Sequence, residues 1–185
     1  PISVTLFHYF PAACINFSLI IKPTTSMAVI DVFKPTRADP IIRVPSLLKL
    51  PGVLLAFAHS QPTTPVFHTF ISRSLDDGAT WSKQTILPIA DGFELNGPVY
   101  DASTHTVILL FTMLYPAGAP PESCPPCQRA AMNSTDGGVT WSPLANLTST
   151  LATNGHGLTH GIATTKGRLL FAARHDYCRA DCGDP

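Results

Sequence analysis

Ser74-Leu75-Asp76-Asp77-Gly78-Ala79-Thr80-Trp81 and Ser134-Thr135-Asp136-Gly137-Gly138-Val139-Thr140-Trp141 are two readings of one pattern, Ser-x-Asp-x-Gly-x-Thr-Trp, set 60 residues apart. Self-similarity at a fixed period marks a repeat architecture, and a period of this order accommodates one four-stranded propeller blade. Each box has the chemistry of a turn: Ser and Asp side chains hydrogen-bond nearby backbone N–H groups, and Gly supplies positive φ. The Trp is a large apolar plug that pins the turn onto a sheet. A strand-like run precedes each box, Val66 to Arg73 and Gln128 to Asn133, and Trp-Ser follows each. Ser74, Asp76, Gly78, Trp81, Ser134, Asp136, Gly138 and Trp141 are therefore structural residues.

Around the boxes the composition is that of an all-β chain. At 185 residues and 45% hydrophobic, the chain is long enough to bury one core. Eighteen prolines and twelve glycines divide it into short segments, many of them rich in Val, Ile, Thr and Phe. Twelve basic residues balance twelve acidic ones, and no Lys/Arg cluster forms a phosphate-binding surface, which excludes nucleic acid as an expected partner. Residues 1–21 contain no Asp, Glu, Lys or Arg, but Pro11 interrupts them, so a membrane span is not expected. They also lack the basic start of a signal peptide. Residues 1–26 are read as a leader, either a signal-peptide remnant or a non-native extension, and 27–185 as the folded part, with Met27 a candidate start.

The cysteines fall into Cys124-Pro125-Pro126-Cys127 and Cys178-Arg179-Ala180-Asp181-Cys182, with Cys14 in the leader. Two close pairs can bind zinc or form disulfides. The first pair has no knuckle glycine, and Asn-x-Ser/Thr sequons begin at Asn16, Asn133 and Asn146. Both features favour disulfides and a secreted or lysosomal location over a cytoplasmic one. Nothing in the sequence requires a metal or a cofactor.

The two boxes resemble the Asp-box of sialidases and related β-propellers, and the likeness extends along the chain. Arg43-Val44-Pro45, Ser46-Leu47-Leu48 and Leu54-Leu55-Ala56-Phe57-Ala58 are similar to the sialidase Phe/Tyr-Arg-Ile-Pro motif and the two strands of its first blade, with Ile42 in place of the aromatic residue. Asn96-Gly97-Pro98-Val99-Tyr100-Asp101 resembles the start of the second blade, Asn-Pro-x-x-Val/Leu-Tyr-Asp, with Gly97 inserted. Gly155-His156-Gly157 through Ile162-Ala163, then Lys166-Gly167-Arg168-Leu169-Leu170, resembles the first two strands of the third. The resemblance implies about two and a half blades of a six-bladed propeller: blade one at 41–90, blade two at 95–148 and the start of blade three at 155–185.

What the resemblance implies about function is an exo-α-sialidase, a glycoside hydrolase that removes terminal sialic acids from sialylated glycans. The alternative is a propeller of the same family that binds glycan or protein without catalysis. Sialic acid carries a carboxylate, and a planar guanidinium binds carboxylates bidentately. Arg43 matches the first of three arginines that do this in the family. The loop that supplies the family's acid/base Asp corresponds here to 59–65, which contains no carboxylate. His59 and His68 are the titratable groups bordering it, and a lone His is more often structural. The family's Tyr nucleophile and its Glu partner belong to later blades, so no catalytic residue is assigned. His59, Asn96, Arg174, His175 and Asp176 are candidate rim residues. Strand order puts the boxes on the face opposite this rim, and puts Cys124 and Cys127 on the same face as Cys178 and Cys182, where the two loops are expected to be bridged.

Overall fold

Short runs of β-branched and aromatic residues, broken by Pro and Gly, build antiparallel sheets in the computed structural model, which describes residues 17–21, 28–60, 68–89, 93–113, 129–147 and 161–171. No helix occurs among these residues. β1 (Phe17–Ile21) and β2 (Ala28–Phe33) form a hairpin. β3 (Ile42–Leu50), β4 (Val53–Ser60), β5 (Thr69–Ser74) and β6 (Thr85–Ile86) make a four-stranded sheet in sequence order. β7 (Phe93–Asp101), β8 (Thr106–Met113), β9 (Arg129–Ser134) and β10 (Ala145–Asn146) make a second. β11 (Ile162–Ala163) and β12 (Leu169–Leu170) begin a third. Sequential up-and-down connectivity of this kind builds a propeller blade.

Three details differ from the sequence reading. Residues 17–21, set apart with the leader, are a strand paired with β2 from Ile21↔Ala28 to Leu19↔Ile30. An uncharged apolar run reads equally well as a strand. The strand before the first box occupies Thr69–Ser74, where 66–73 was expected. The Trp141–Leu147 segment, whose sequence reads as the outer strand of the second blade, pairs as a strand only at Ala145–Asn146, because Pro143 has no N–H to offer the ladder.

β4 is the buried spine of blade one, and its alternation assigns its two faces. Leu55 and Phe57 point into a core shared with blade two, made with Ile71, Leu95, Val107, Leu109, Phe111 and Met132. Ala56 and Ala58 face the other way, onto Val32, Phe33, Ile42 and Phe70. A strand buried on both faces has to be apolar throughout, as Leu54 to Ala58 is. Each fully buried Leu or Phe contributes about 1.5–3 kcal/mol of transfer free energy, so this shared layer holds the two blades together.

The box tryptophans reach backwards across the joints. Trp141 of the second box lies edge-on to Phe57 of blade one, with centroids 6.3 Å apart at 75°. Trp81 packs on the opposite core, with Phe33 and Phe70. Within the boxes Asp136 accepts from Thr140 N–H at 2.9 Å and Thr140 O–H at 2.5 Å, and Ser134 Oγ accepts from Gly138 N–H at 2.8 Å. Asp76, Thr80, Ser74 and Gly78 repeat the arrangement at 2.8, 2.5 and 2.8 Å. These bonds favour the carboxylate form and hold Asp76 down at about 2, with Asp136 lowered further still. Gly138 has φ +82°, and a Cβ there would meet two carbons of Leu55 at 3.1 Å. The second box is thereby seated on blade one, where Arg73 Nε donates to Gly137 O at 2.9 Å.

Candidate functional site

Register decides which residues sit at the end away from the boxes. Leu54 lies opposite Ser74, and Val107 opposite Ser134, at the box end. At the other end Arg43 pairs with His59, and His59 with Thr69. The strand there is distorted: pairing shifts between Arg43 and Ser46, and Val44 adopts φ +54°. A β-branched residue at positive φ is strained, and such strain concentrates at functional sites. The Arg-Val-Pro motif therefore forms a bulge that re-aims its Arg.

Arg43 is half-buried, and its Nε is buried without a hydrogen-bond partner. His59 beside it is 1% exposed. Its Nε2 accepts Leu95 N–H from blade two at 2.9 Å, and its Nδ1 lies 3.4 Å from Thr69 Oγ1. Burial is the main force that lowers this imidazole to about 4, with the Arg43 charge adding to the effect against the opposing Leu95 backbone contact. His59 is thus a neutral mortar between blades and is no open rim residue.

Asn96 follows Leu95 directly and occupies the second bulge, where β7–β8 pairing shifts between Leu95 and Gly97. Asn96 is the extra residue of this bulge, since Leu95 pairs with Phe111 and Gly97 with Leu110. Asn96 Nδ2 donates to Thr112 Oγ1 at 2.6 Å, while its Oδ1 is buried without a partner. Arg129 Nη1 donates to the same Thr112 oxygen at 2.7 Å. Thr112 is paired in register with both Glu94 and Arg129, and all three are buried. Arg43 Nε and Asn96 Oδ1, one donor and one acceptor, are the two unpartnered buried side-chain polar atoms among the described residues.

His68 does not join this group. Ser60 pairs with Ile42, one position from the Arg43–His59 pair, so side chains there take the opposite face. His68 follows Ser60 across the sheet: Ser60 N–H donates to His68 O at 2.9 Å. Its Nδ1 meets the buried Asp39 carboxylate at 2.7 Å, and its ring packs edge-on to Phe70. Asp39, Thr112 and Arg129 were missed in the sequence. Arg129 carries the same signal as Arg43, a charge in an otherwise apolar strand, Arg129-Ala130-Ala131-Met132.

Arg174, His175, Asp176 and the four cysteines Cys124, Cys127, Cys178 and Cys182 lie outside the described residues. Among the described ones no group of three or more His, Cys, Asp or Glu gathers to hold a metal, and no helix is long and apolar enough to cross a membrane. A hollow of about 320 Å³ lined by Lys49, Gly52, Leu75 and Asp77 lies at the box end, away from Arg43.

No protein-family model matches the chain. Solved structures do. A Hadza microbial sialidase superposes with a TM-score of 0.59 at 22% identity, over 72% of this chain and 32% of its own. The sialidase of Trypanosoma rangeli gives a TM-score of 0.50 at 12% identity, over 79% and 27%. The same enzyme with 2,3-difluorosialic acid as a covalent intermediate gives 0.50 at 14%, over 82% and 27%. The chain spans about a third or less of the length of these proteins. At these identities the likeness speaks to architecture: over the part described, this chain has the fold of a sialidase β-propeller, of which it forms about two and a half blades.

Proposed function

We propose that this chain is part of an exo-α-sialidase-like glycoside hydrolase that recognises terminal sialic acid on glycoconjugates, with Arg43 binding the sugar carboxylate. The observation that carries the reading is the buried, unpartnered Nε of Arg43. Buried polar atoms are almost always paired, and an orphan donor on a guanidinium asks for an anionic acceptor. The bulge at Val44 and the second bulge at Asn96 support a built site over a stray surface charge. The sialidase neighbours, one holding a sialic acid derivative, favour this anion among others.

A second reading, a propeller that binds sialylated glycan or protein without cleaving it, is favoured by the chemistry around Arg43. Residues 59–65 hold no carboxylate, and both nitrogens of His59 are engaged inside the joint. Neither supplies a general acid. Isothermal titration with free sialic acid, together with release of fluorophore from a sialoside, separates the readings. Binding that Arg43→Ala abolishes, with turnover, supports the hydrolase. The same binding without turnover supports the second reading, and binding unaffected by Arg43→Ala overturns both.

The repeated boxes act in this reading as the Asp-boxes of the propeller. The sequons at Asn133 and Asn146, both on exposed strand residues, support a secretory route, which a mass shift on enzymatic deglycosylation of the natural protein tests.

A further inference from the structure

We infer that Arg129 and Thr112 are positioning residues that fix which end of the Asn96 amide faces the ligand, so that the site selects an acid bearing a hydrogen-bond donor, hydroxyl or N–H, near its carboxylate. The selectivity rests on the reading of Arg43 given above; the positioning does not.

A hydroxyl oxygen has two acceptor lone pairs. On Thr112 one takes Arg129 Nη1–H at 2.7 Å and the other takes Asn96 Nδ2–H at 2.6 Å. Guanidinium can only donate, so Arg129 occupies one of these lone pairs, and the amide meets the other through its own donor, Nδ2. Oδ1 is thereby turned away from Thr112, where it is buried and unpartnered. The anchor is firm, because Thr112 is fully buried and Arg129 is 3% exposed. The bulge between Leu95 and Gly97 frees Asn96 from strict alternation and allows this reach.

His59 links the strand of Arg43 to the strand of Asn96. It is the register partner of Arg43 and it binds the N–H of Leu95, the residue before Asn96. Held neutral, it adds no competing charge. A ligand that places its carboxylate on Arg43 and leaves Oδ1 bare buries an acceptor without a partner, and one that offers O–H or N–H satisfies both orphans at once. A site built around a fixed acceptor rejects analogues lacking the donor far more strongly than an apolar pocket rejects a missing methylene.

The test uses the full chain, labelled with nitrogen-15, in the wild type and in Thr112→Ser, Thr112→Val and Arg129→Met. The Asn96 side-chain NH2 pair is assigned by its loss in Asn96→Asp. A shifted, slowly exchanging pair in the wild type and Thr112→Ser, collapsing towards solvent-exposed values in Thr112→Val and Arg129→Met, is expected. A pair indifferent to Thr112→Val overturns the positioning. The second arm compares sialic acid with tetrahydropyran-2-carboxylate, which keeps the ring carboxylate and has no hydroxyl. The ratio of their dissociation constants is expected to fall about tenfold from wild type to Thr112→Val and to recover in Thr112→Ser. An unchanged ratio overturns the selectivity. If the wild type binds neither acid, the Arg43 reading fails and the selectivity with it, while the amide signals still decide the positioning.

Discussion

His59 Nε2 accepts the N–H of Leu95 at 2.9 Å, a single bond that joins the second strand of one blade to the first strand of the next. The ring must stay unprotonated at Nε2 to accept, and burial lowers it from 6.5 to about 4. The unfolded chain therefore takes up this proton first as pH falls. Stability is full above about pH 6.5, declines down to about pH 4, and loses on the order of 3 kcal/mol through this group. Urea unfolding at pH 7, 5.5 and 4.5 is expected to show the decline and His59→Gln to flatten it; equal slopes in the two proteins would rule out His59 as the cause.

A second acid transition belongs to the boxes. Asp76 and Asp136 are both depressed below the ordinary 3.8 by Thr and Ser hydrogen bonds, so their contribution is present above that value and lost as pH falls through their folded values. Near-ultraviolet circular dichroism of Trp81 and Trp141 is expected to fade between pH 4 and pH 2. Asp76→Asn with Asp136→Asn should weaken the signal at neutral pH and remove most of this low-pH change; an unchanged profile counts against the boxes as its source.

Two glycines with similar backbone angles will respond differently to alanine. Gly52 has φ +73° with open space around it, and Gly138 has φ +82° with Leu55 carbons 3.1 Å from a would-be Cβ. Gly52→Ala should cost about 1 kcal/mol from the left-handed conformation alone. Gly138→Ala adds crowding against a packed core and should cost about 2–4 kcal/mol. Chemical denaturation of both variants checks the order, and equal losses would mean that the joint yields to the box.

Arg43 is expected to lower stability. Its Nε is buried and unpaired, and its charge opposes protonation of His59. Arg43→Met should raise the unfolding free energy by about 1 kcal/mol and move the His59 titration upward, read by proton NMR of the imidazole. A destabilised variant with His59 unmoved would indicate that Arg43 is a packing residue.

The repeat period, the blade strands and the position of Arg43 were legible because they are written in local patterns: eight-residue boxes, apolar runs and Pro-Gly breaks. The inserted Gly97 signalled a shift of register without saying which residue it displaced, since a bulge is defined only against its partner strand. His59 looked like a rim residue because it opens the stretch 59–65 that the resemblance aligns with the family's acid/base loop. Its burial depends on blade two, whose Leu95 is distant in sequence. The Asn96–Thr112–Arg129 chain links three strands and has no fixed spacing, so only the lone charge of Arg129 hinted at it. Asp39 was likewise silent until His68 came across the sheet to meet it.

The backward reach of the second box has a consequence for how the chain is made. Gly138 and Trp141, which seat on Leu55 and Phe57, are translated roughly eighty residues after them. At about 5–20 residues per second, the part of that face under the second box waits roughly 4–16 s on the ribosome for its cover, after Leu95 to Phe111 have begun to close the rest. For that interval the nascent sheet is a substrate for holdase chaperones, and a pause in translation before Ser134 prolongs its exposure.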